Sequence, residues 1–562
     1  MLPATAYDLL VIGAGVNGAA VARDAAYRGL RTLMVDAEDL CAGTSAASSR
    51  MVHGGLRYLE HFEFRLVRES LREREQLLRM APHLVAPFGL LVPFYKHNKR
   101  PGWMLRAGMI LYDVLSFDKT TPRHSVLSKE DVACRYPGIN QEGLVGAALY
   151  YDAQALDAER LAVEQAIDAA SAGASIRTHV KVVRLTPRRD GGATASLVDT
   201  LTGARTSVEA EAVVAAAGPW VDQVLDQVQG LNVPRLVGGT KGSHITVKTF
   251  PGAPATGVHY EARSDARAIL VLPIEPGYLL IGSTDIFYDG DPGKATCSDE
   301  EISYLLTEVN QLIPTADLRP EDVIHSYAGI RPLPFDPRAK TEAEVSRDHH
   351  VVPLPGAPGL FGVTGGKLTT HAALGKLAVD KVTRYLASRP GARATYPKSA
   401  VERLPLPGGR TGNWKAFAKA FAARPDVDPA VAARLLKLYG VRAERILEVA
   451  EADPALGRVI PGTGDVLAAE VAVALREEYA RTLVDVMARR LLLTRRDDVG
   501  LSIAPAVAAV CAVVDGWDSA RVDAEIDAFH CWVPLLRPRV LATPRTPETG
   551  AMPDRQPVEV PA

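Results

Sequence analysis

Residues 7–36 constrain the fold more tightly than any other stretch of the chain. "YDLLVIG" is a short apolar run suited to a strand buried on both faces. "GAGVNGAAVARDAAYRG" then gives glycines followed by an alanine-rich helix, and "LRTLMVD" is a second buried strand ending on Asp36. The order is β-α-β with a GxGxxG motif at Gly13, Gly15 and Gly18, and Asp36 lies 23 residues beyond the first glycine. Gly13 allows the tight turn, Gly15 lets backbone approach a pyrophosphate, and Gly18 permits close helix–strand packing. The helix N-terminus offers unpaired N–H groups and partial positive charge, and Asp36 is placed to accept hydrogen bonds from ribose hydroxyls. A lone GxGxxG is weak evidence. Its setting between strand and helix, with an acid at the right distance, favours a dinucleotide over a structural turn. The motif does not separate a nicotinamide from a flavin cofactor.

At 562 residues the chain is too long for one ordinary core, so two or more domains are expected. Hydrophobic residues at 47% and charged ones at 23% describe a globular protein, and a net charge of -2 argues against nucleic acid as a partner. Cysteines 41, 134, 297, 511 and 531 are odd in number and without close pairing. That predicts neither a disulfide framework nor a metal site, and suits a reducing compartment. "MLPATA" does not read as a signal peptide, and no run reaches the 18 or more apolar residues of a spanning helix. The expected location is cytoplasmic, or on a membrane from the cytoplasmic side.

Helices are expected near 62–81 and 157–172, and strands near 176–186, 195–201, 206–217 and through 240–290 up to "GVTGGKLTT" (362–370). Beyond about 400 the texture turns Ala-, Leu- and Arg-rich with helical spacing, notably at 464–493, predicting a helical domain at 400–540. The Pro-rich tail 541–562 reads as disordered. Residues 88–116 mix Phe88, Phe94, Trp103, Met104 and Ile110 with Lys96, Lys99, Arg100 and Arg106. That pattern fits either an interfacial segment at a lipid headgroup layer or a buried hairpin with a basic loop. In "SSRMVHGGLRYLEH" (48–61), Gly54 and Gly55 strip side chains from the backbone beside Arg57. By itself this stretch could be a glycine turn with solvated arginines.

The run "CAGTSAASSRMVHGGLRYLEHFEFRLVRESLRERE" (41–75) resembles the FAD-dependent sn-glycerol-3-phosphate dehydrogenases of respiratory glycerol metabolism. So do "AAGPWV" (216–221), "KGSHI" (241–245), "IGSTD" (281–285), "AGIRPL" (328–333), "GGKLTT" (365–370) and the C-terminal "EYARTLVDVMARRLLL" (478–493), in family order. The resemblance covers roughly residues 7–540, and it implies an α/β fold. A Rossmann-type FAD-binding domain and a mixed β-sheet substrate domain, as in amino-acid-oxidase-like flavoproteins, would be interleaved over 1–390. An all-α C-terminal domain would follow.

The resemblance also implies roles for particular residues. Residues 44–55 would run along the cofactor, with Thr44, Ser45 and Ser48 hydrogen-bonding it, Gly54 and Gly55 lying against the ring, and His53 beside it. Gly218 and Gly366 would allow close backbone contact, Val182 would meet the adenine, and Asn17, Leu368 and Thr369 would complete the cofactor contacts. A phosphate monoester carries nearly two negative charges, so several cations should converge on it. Arg331 is the first candidate because a guanidinium binds phosphate in a bidentate way, Arg57 the second. Lys367 would serve the substrate or the N1/O2 edge of the flavin. His244 is the candidate general base, since histidine titrates near working pH, with His53 as its competitor.

These assignments imply oxidation of sn-glycerol 3-phosphate, with electrons passed to a membrane quinone from a site held at the inner face of the cell membrane through residues 88–116. They also allow a homodimer, although no interface is legible in the residues. Three rival readings stand beside this one. The first is a glycerol-3-phosphate oxidase that reduces oxygen. The second is an amine or amino-acid oxidase on the same fold, which would need one arginine rather than three cations. The third is a flavin-binding redox sensor without turnover.

Overall fold

In the computed structural model, residues 5–536 are described apart from 101, 276, 340, 343 and 392–394. The predicted disordered tail therefore lies outside the described residues. The strand Thr5–Ile12 pairs in parallel with Thr32–Val35 on one side and Arg205–Ala215 on the other, with Leu9, Leu10 and Val11 fully buried. Burial on both faces is why this segment reads as an unbroken apolar run. The helix Val16–Tyr27 crosses between the first two strands, and its small residues let neighbours approach. A Cβ on Gly18 would sit 1.9 Å from the Gly13 carbonyl oxygen. On the helix His371–Ala387, a Cβ on Gly375 would lie 2.8 Å from Ala20 backbone. These strands belong to an eight-stranded sheet that Leu360–Thr364 and Ser175–Arg177 extend to either side.

A second sheet of ten strands stands over the first. Its longest ladder pairs Val237–Lys248 with Val323–Pro334 antiparallel, setting His244 opposite Tyr327 and Thr240 opposite Arg331. Ala86–Tyr95 and Gly257–Glu261 pair in parallel, so the sheet is mixed. Segments from early and late in the chain alternate between the two sheets. After residue 400 the chain is helical around its own core, which includes Leu435, Ile446, Val471, Leu483 and Val507.

One expectation about these elements needs correction. Residues 88–116 are not one interfacial piece. Ala86–Tyr95 is an interior strand that buries Leu90, Leu91 and Phe94, and only the helix Gly102–Leu115 carries exposed apolar side chains. The stretch 464–493, read from its helical spacing, is helical in separate pieces. Ala468–Glu477 stops where Tyr479 turns left-handed (φ 61°), and a π-helical turn follows at Asp485–Arg490. The charged residues of that turn face buried ion pairs instead of extending an apolar stripe. No helix among the described residues is long and apolar enough to cross a membrane.

Candidate active site

A cavity of about 1090 Å³ runs between the two sheets, beyond the drug-sized range of roughly 300–1,000 Å³. At one end it is floored by Gly13, Gly15 and Asn17 at the start of the first crossover helix, with Asp36 and Val182 beside them. Gly13 is held at φ 107°, and a Cβ there would fall 2.6 Å from the Ala216 carbonyl oxygen. Asp36 accepts hydrogen bonds from the backbone N–H groups of Ala14 (2.6 Å) and Glu38 (2.9 Å). Burial pushes its carboxyl up to about 6 even against those two bonds.

Residues 42–49 form the cavity's long wall. Ser45 Oγ accepts from the Val16 N–H at 3.0 Å, Thr44 Oγ1 donates to the Ile330 carbonyl at 2.7 Å, and Tyr327 donates its hydroxyl proton to the Ser48 carbonyl at 2.8 Å. Gly218 and Gly366 line the cavity in left-handed conformations, and a Cβ on Gly366 would sit 2.5 Å from Asn17 Nδ2. Leu368 and Thr369 complete this side, and Thr369 Oγ1 accepts from the His53 N–H at 3.1 Å.

Gly54 and Gly18 do not line the cavity. The Gly54 N–H donates to Tyr112 Oη (2.9 Å), and its missing Cβ makes room for Tyr112 and Leu71 in the core. Gly55 does reach the cavity, at φ 79°, where a Cβ would collide with the Tyr58 ring. The double glycine therefore turns the chain around two tyrosines, and the close approach expected of Gly54 is to core, not to a ligand. The Arg57 side chain lies outside the described residues.

At the far end the cations converge. Arg331 donates to Asp285 Oδ1 (2.9 Å), Ser283 Oγ (2.9 Å) and the Thr284 carbonyl (3.1 Å), while Arg347 donates to Asp285 Oδ2 (2.6 Å). Burial would raise the Asp285 carboxyl, but the two guanidiniums outweigh it and hold it below the usual carboxylate range. Lys367 Nζ is buried, has no hydrogen-bond partner among the described residues, and sits 3.8 Å from the centroid of the Tyr58 ring. Burial lowers its pKa.

His244 is buried, with Nε2 2.7 Å from Ser49 Oγ, its ring stacked on Tyr327 at 5.0 Å, and Nδ1 without a partner among the described residues. Burial, then Arg331 and Arg50, push it down to about 3. His53 is pushed down to about 4, first by burial. Both rings are neutral near pH 7.

Sequence reasoning missed Asp285, Arg347, Tyr58 and Ser49. "IGSTD" carried Asp285 within a motif, but an aspartate after a strand has no periodic signature, and Arg347 sits in a loop of unremarkable composition.

The residues fit a flavin dinucleotide. The cradle of Gly13 and Gly15 opens on the N-terminus of a 12-residue helix, and the buried Asn17 Oδ1 and Lys367 Nζ lack partners among the described residues. Comparison with known proteins agrees. The family described as FAD dependent oxidoreductase matches residues 8–381, and the C-terminal domain of alpha-glycerophosphate oxidase matches 399–522. A glycerol-3-phosphate dehydrogenase of Synechocystis sp. is 41% identical over 547 residues, covering 94% of this chain and 96% of its own. A D-erythritol 1-phosphate dehydrogenase of Brucella abortus is 37% identical, covering 86% and 93%. A glycerol-3-phosphate dehydrogenase of Pseudomonas aeruginosa is 35% identical, covering 89% and 93%. The crystal structure of glycerol-3-phosphate dehydrogenase from Bacillus halodurans, complexed with FAD, superposes with a TM-score of 0.75 at 25% identity, over 94% of this chain and 95% of that one. Fold, cavity and relatives together place the chain in the family of FAD-dependent glycerol-3-phosphate dehydrogenases and oxidases.

Proposed function

We propose that this chain oxidises sn-glycerol 3-phosphate to dihydroxyacetone phosphate and delivers the electrons to a membrane quinone. The observation that carries the reading is one cavity that joins a dinucleotide cradle to a cluster of Arg331, Arg347 and Lys367. A dianionic phosphate suits such a cluster better than a single carboxylate does. FAD bound in the cradle supplies the hydride acceptor.

Arg331 and Arg347 grip the phosphate, and Asp285 holds both guanidiniums in position between turnovers. His244, which lines the cavity, takes the substrate's hydroxyl proton as the carbinol hydrogen leaves with its electron pair. Its depressed pKa is part of this scheme. Arg331 is one of the charges holding it down, so a phosphate that neutralises Arg331 raises the imidazole's basicity when substrate is in place. Lys367 stabilises negative charge at the cofactor's ring edge. Arg57 remains a candidate through its motif.

The acceptor assignment rests on an exposed apolar surface. Trp103, Ile110 and Val114 project from the helix Gly102–Leu115, Phe117 follows it, and Phe62 precedes and Phe64 opens the helix Phe64–Met80 that packs beside it. Arg68 ties the two together, pairing with Asp118 and lying 4.5 Å over the Phe117 ring. Exposed aromatic side chains with an arginine among them suit the headgroup layer of a bilayer, here its cytoplasmic side. The Brucella abortus relative named D-erythritol 1-phosphate dehydrogenase supports a second reading, a longer polyol phosphate as substrate. Steady-state assays should compare glycerol 3-phosphate with erythritol 1-phosphate, and a short-chain quinone with oxygen. Higher kcat/KM for glycerol 3-phosphate with quinone is expected. Preference for the four-carbon substrate, or faster peroxide formation in air, would replace the proposal.

A further inference from the structure

The wall formed by residues 42–49 is bounded at both ends by non-glycine residues in the left-handed region, Cys41 at φ 61° and Arg50 at φ 59°. Such a conformation costs energy and persists only where surroundings enforce it. Both ends are gripped from the helical domain. At the first end, fully buried Asp39 takes three charge-assisted hydrogen bonds, from Arg489 Nε at 2.6 Å and from the two terminal nitrogens of Arg490 at 2.7 Å each. Asp485 orients Arg489 at 2.6 Å and also meets His179, whose N–H donates to the Glu38 carbonyl at 2.6 Å. At the second end, Arg50 makes a two-pronged pair with Glu159 at 2.9 Å, and Arg495 closes on the same carboxylate at 3.0 Å and on Asp157.

We infer that the C-terminal helical domain braces the loop 41–50 from both ends, making Arg489, Arg490 and Arg495 positioning residues for FAD retention. The inference rests on the proposed function, with FAD extending from the cradle along this loop as the family resemblance implies for residues 44–55. Buried ion pairs gain little net stability, because desolvation cancels much of the attraction, but they fix geometry because unpairing one partner is costly. Thr44, Ser45, Ser48 and Ser49 tie the middle of this wall to its neighbours, and the ion pairs fix its two ends. Among the described residues the helical domain contributes no side chain to the cavity, yet its arginines anchor both ends of this wall.

The test measures FAD affinity and release by flavin fluorescence in full-length Asp39→Asn and Arg495→Gln proteins, with the melting temperature of the flavin-free proteins alongside. Arg495 is partly exposed, so its variant remains informative if Asp39→Asn fails to fold. Asp497→Asn serves as a control, since it removes interdomain contacts to Tyr278 and Lys248 (2.7 Å each) away from the loop. Gly15→Val puts a side chain directly into the cradle. The brace predicts a Kd for FAD raised about tenfold or more in Asp39→Asn and Arg495→Gln, with Asp497→Asn unchanged. A lower melting temperature with unchanged FAD affinity, or equal loosening by Asp497→Asn, would overturn it. If Gly15→Val also left FAD affinity unchanged, the cofactor's placement itself would be wrong, and the brace would fall with it.

Discussion

Replacing Arg331 by alanine tests two claims with one change. The guanidinium is half-sheltered among Asp285, Ser283 and the Thr284 carbonyl, so it is held ready rather than recruited. A charge-assisted hydrogen bond of this kind is worth roughly 1.5–3 kcal/mol, which corresponds to a KM for glycerol 3-phosphate raised roughly 10- to 150-fold. FAD should stay bound, because Arg331 lies at the end of the cavity away from the Gly13–Gly15 cradle. The same substitution removes a positive charge that holds His244 down. The folded-state pKa of that imidazole should therefore rise, moving the acid limb of the kcat/KM profile to higher pH. The assay is steady-state kinetics from about pH 3 to 9 on protein of verified flavin content, a range that takes in the imidazole's own value of about 3. An unchanged KM would remove Arg331 from the phosphate site, and a raised KM with an unmoved acid limb would detach His244 from proton transfer.

Other perturbations reach different parts of the account. Gly13→Ala places a methyl group 2.6 Å from the Ala216 carbonyl oxygen at φ 107°, so that protein should purify colourless or barely folded, as flavin absorbance and circular dichroism would show. Trp103→Ser with Phe117→Ser removes two exposed aromatics; at roughly 1.5–3 kcal/mol per large side chain buried in the interface, binding to anionic vesicles in a sedimentation assay should fall at least about tenfold. His325 is buried with neither ring nitrogen partnered among the described residues, and burial pushes it down to about 3. Its folded pKa lies below the unfolded value, so the unfolded chain takes the proton first and stability falls as pH drops below about 6.5. His325→Leu should consequently lose about 2 kcal/mol less between pH 7 and 5 than the parent, measured by urea unfolding.

The cofactor half of this protein is legible because its constraints are local. The β-α-β unit of residues 7–36 needs glycines at fixed spacing, and Gly13, Gly15 and Asp36 meet in space as they stand in sequence. Strands buried on one or both faces were equally readable, because side-chain alternation follows from the backbone. What escaped was set by tertiary pairing. Asp285 and Arg347 are 62 residues apart and meet only because strand and loop converge on one end of the cavity. Gly54 read as a ligand-facing glycine, whereas its neighbours Tyr112 and Leu71 come from helices that no spacing rule connects to it. The apolar strand Ala86–Tyr95 and the apolar helix after it look alike in composition, and only burial separates core from exposed surface. The turn at Asp485–Arg490 broke a helical pattern because its arginines answer carboxylates some 450 residues earlier in the chain.

The most direct test of the central claim is an anaerobic titration of the purified holoprotein with sn-glycerol 3-phosphate, following flavin absorbance. The account predicts stoichiometric bleaching, with colour restored promptly by a quinone analogue and only slowly by air. Bound flavin that stayed oxidised in excess substrate would contradict it.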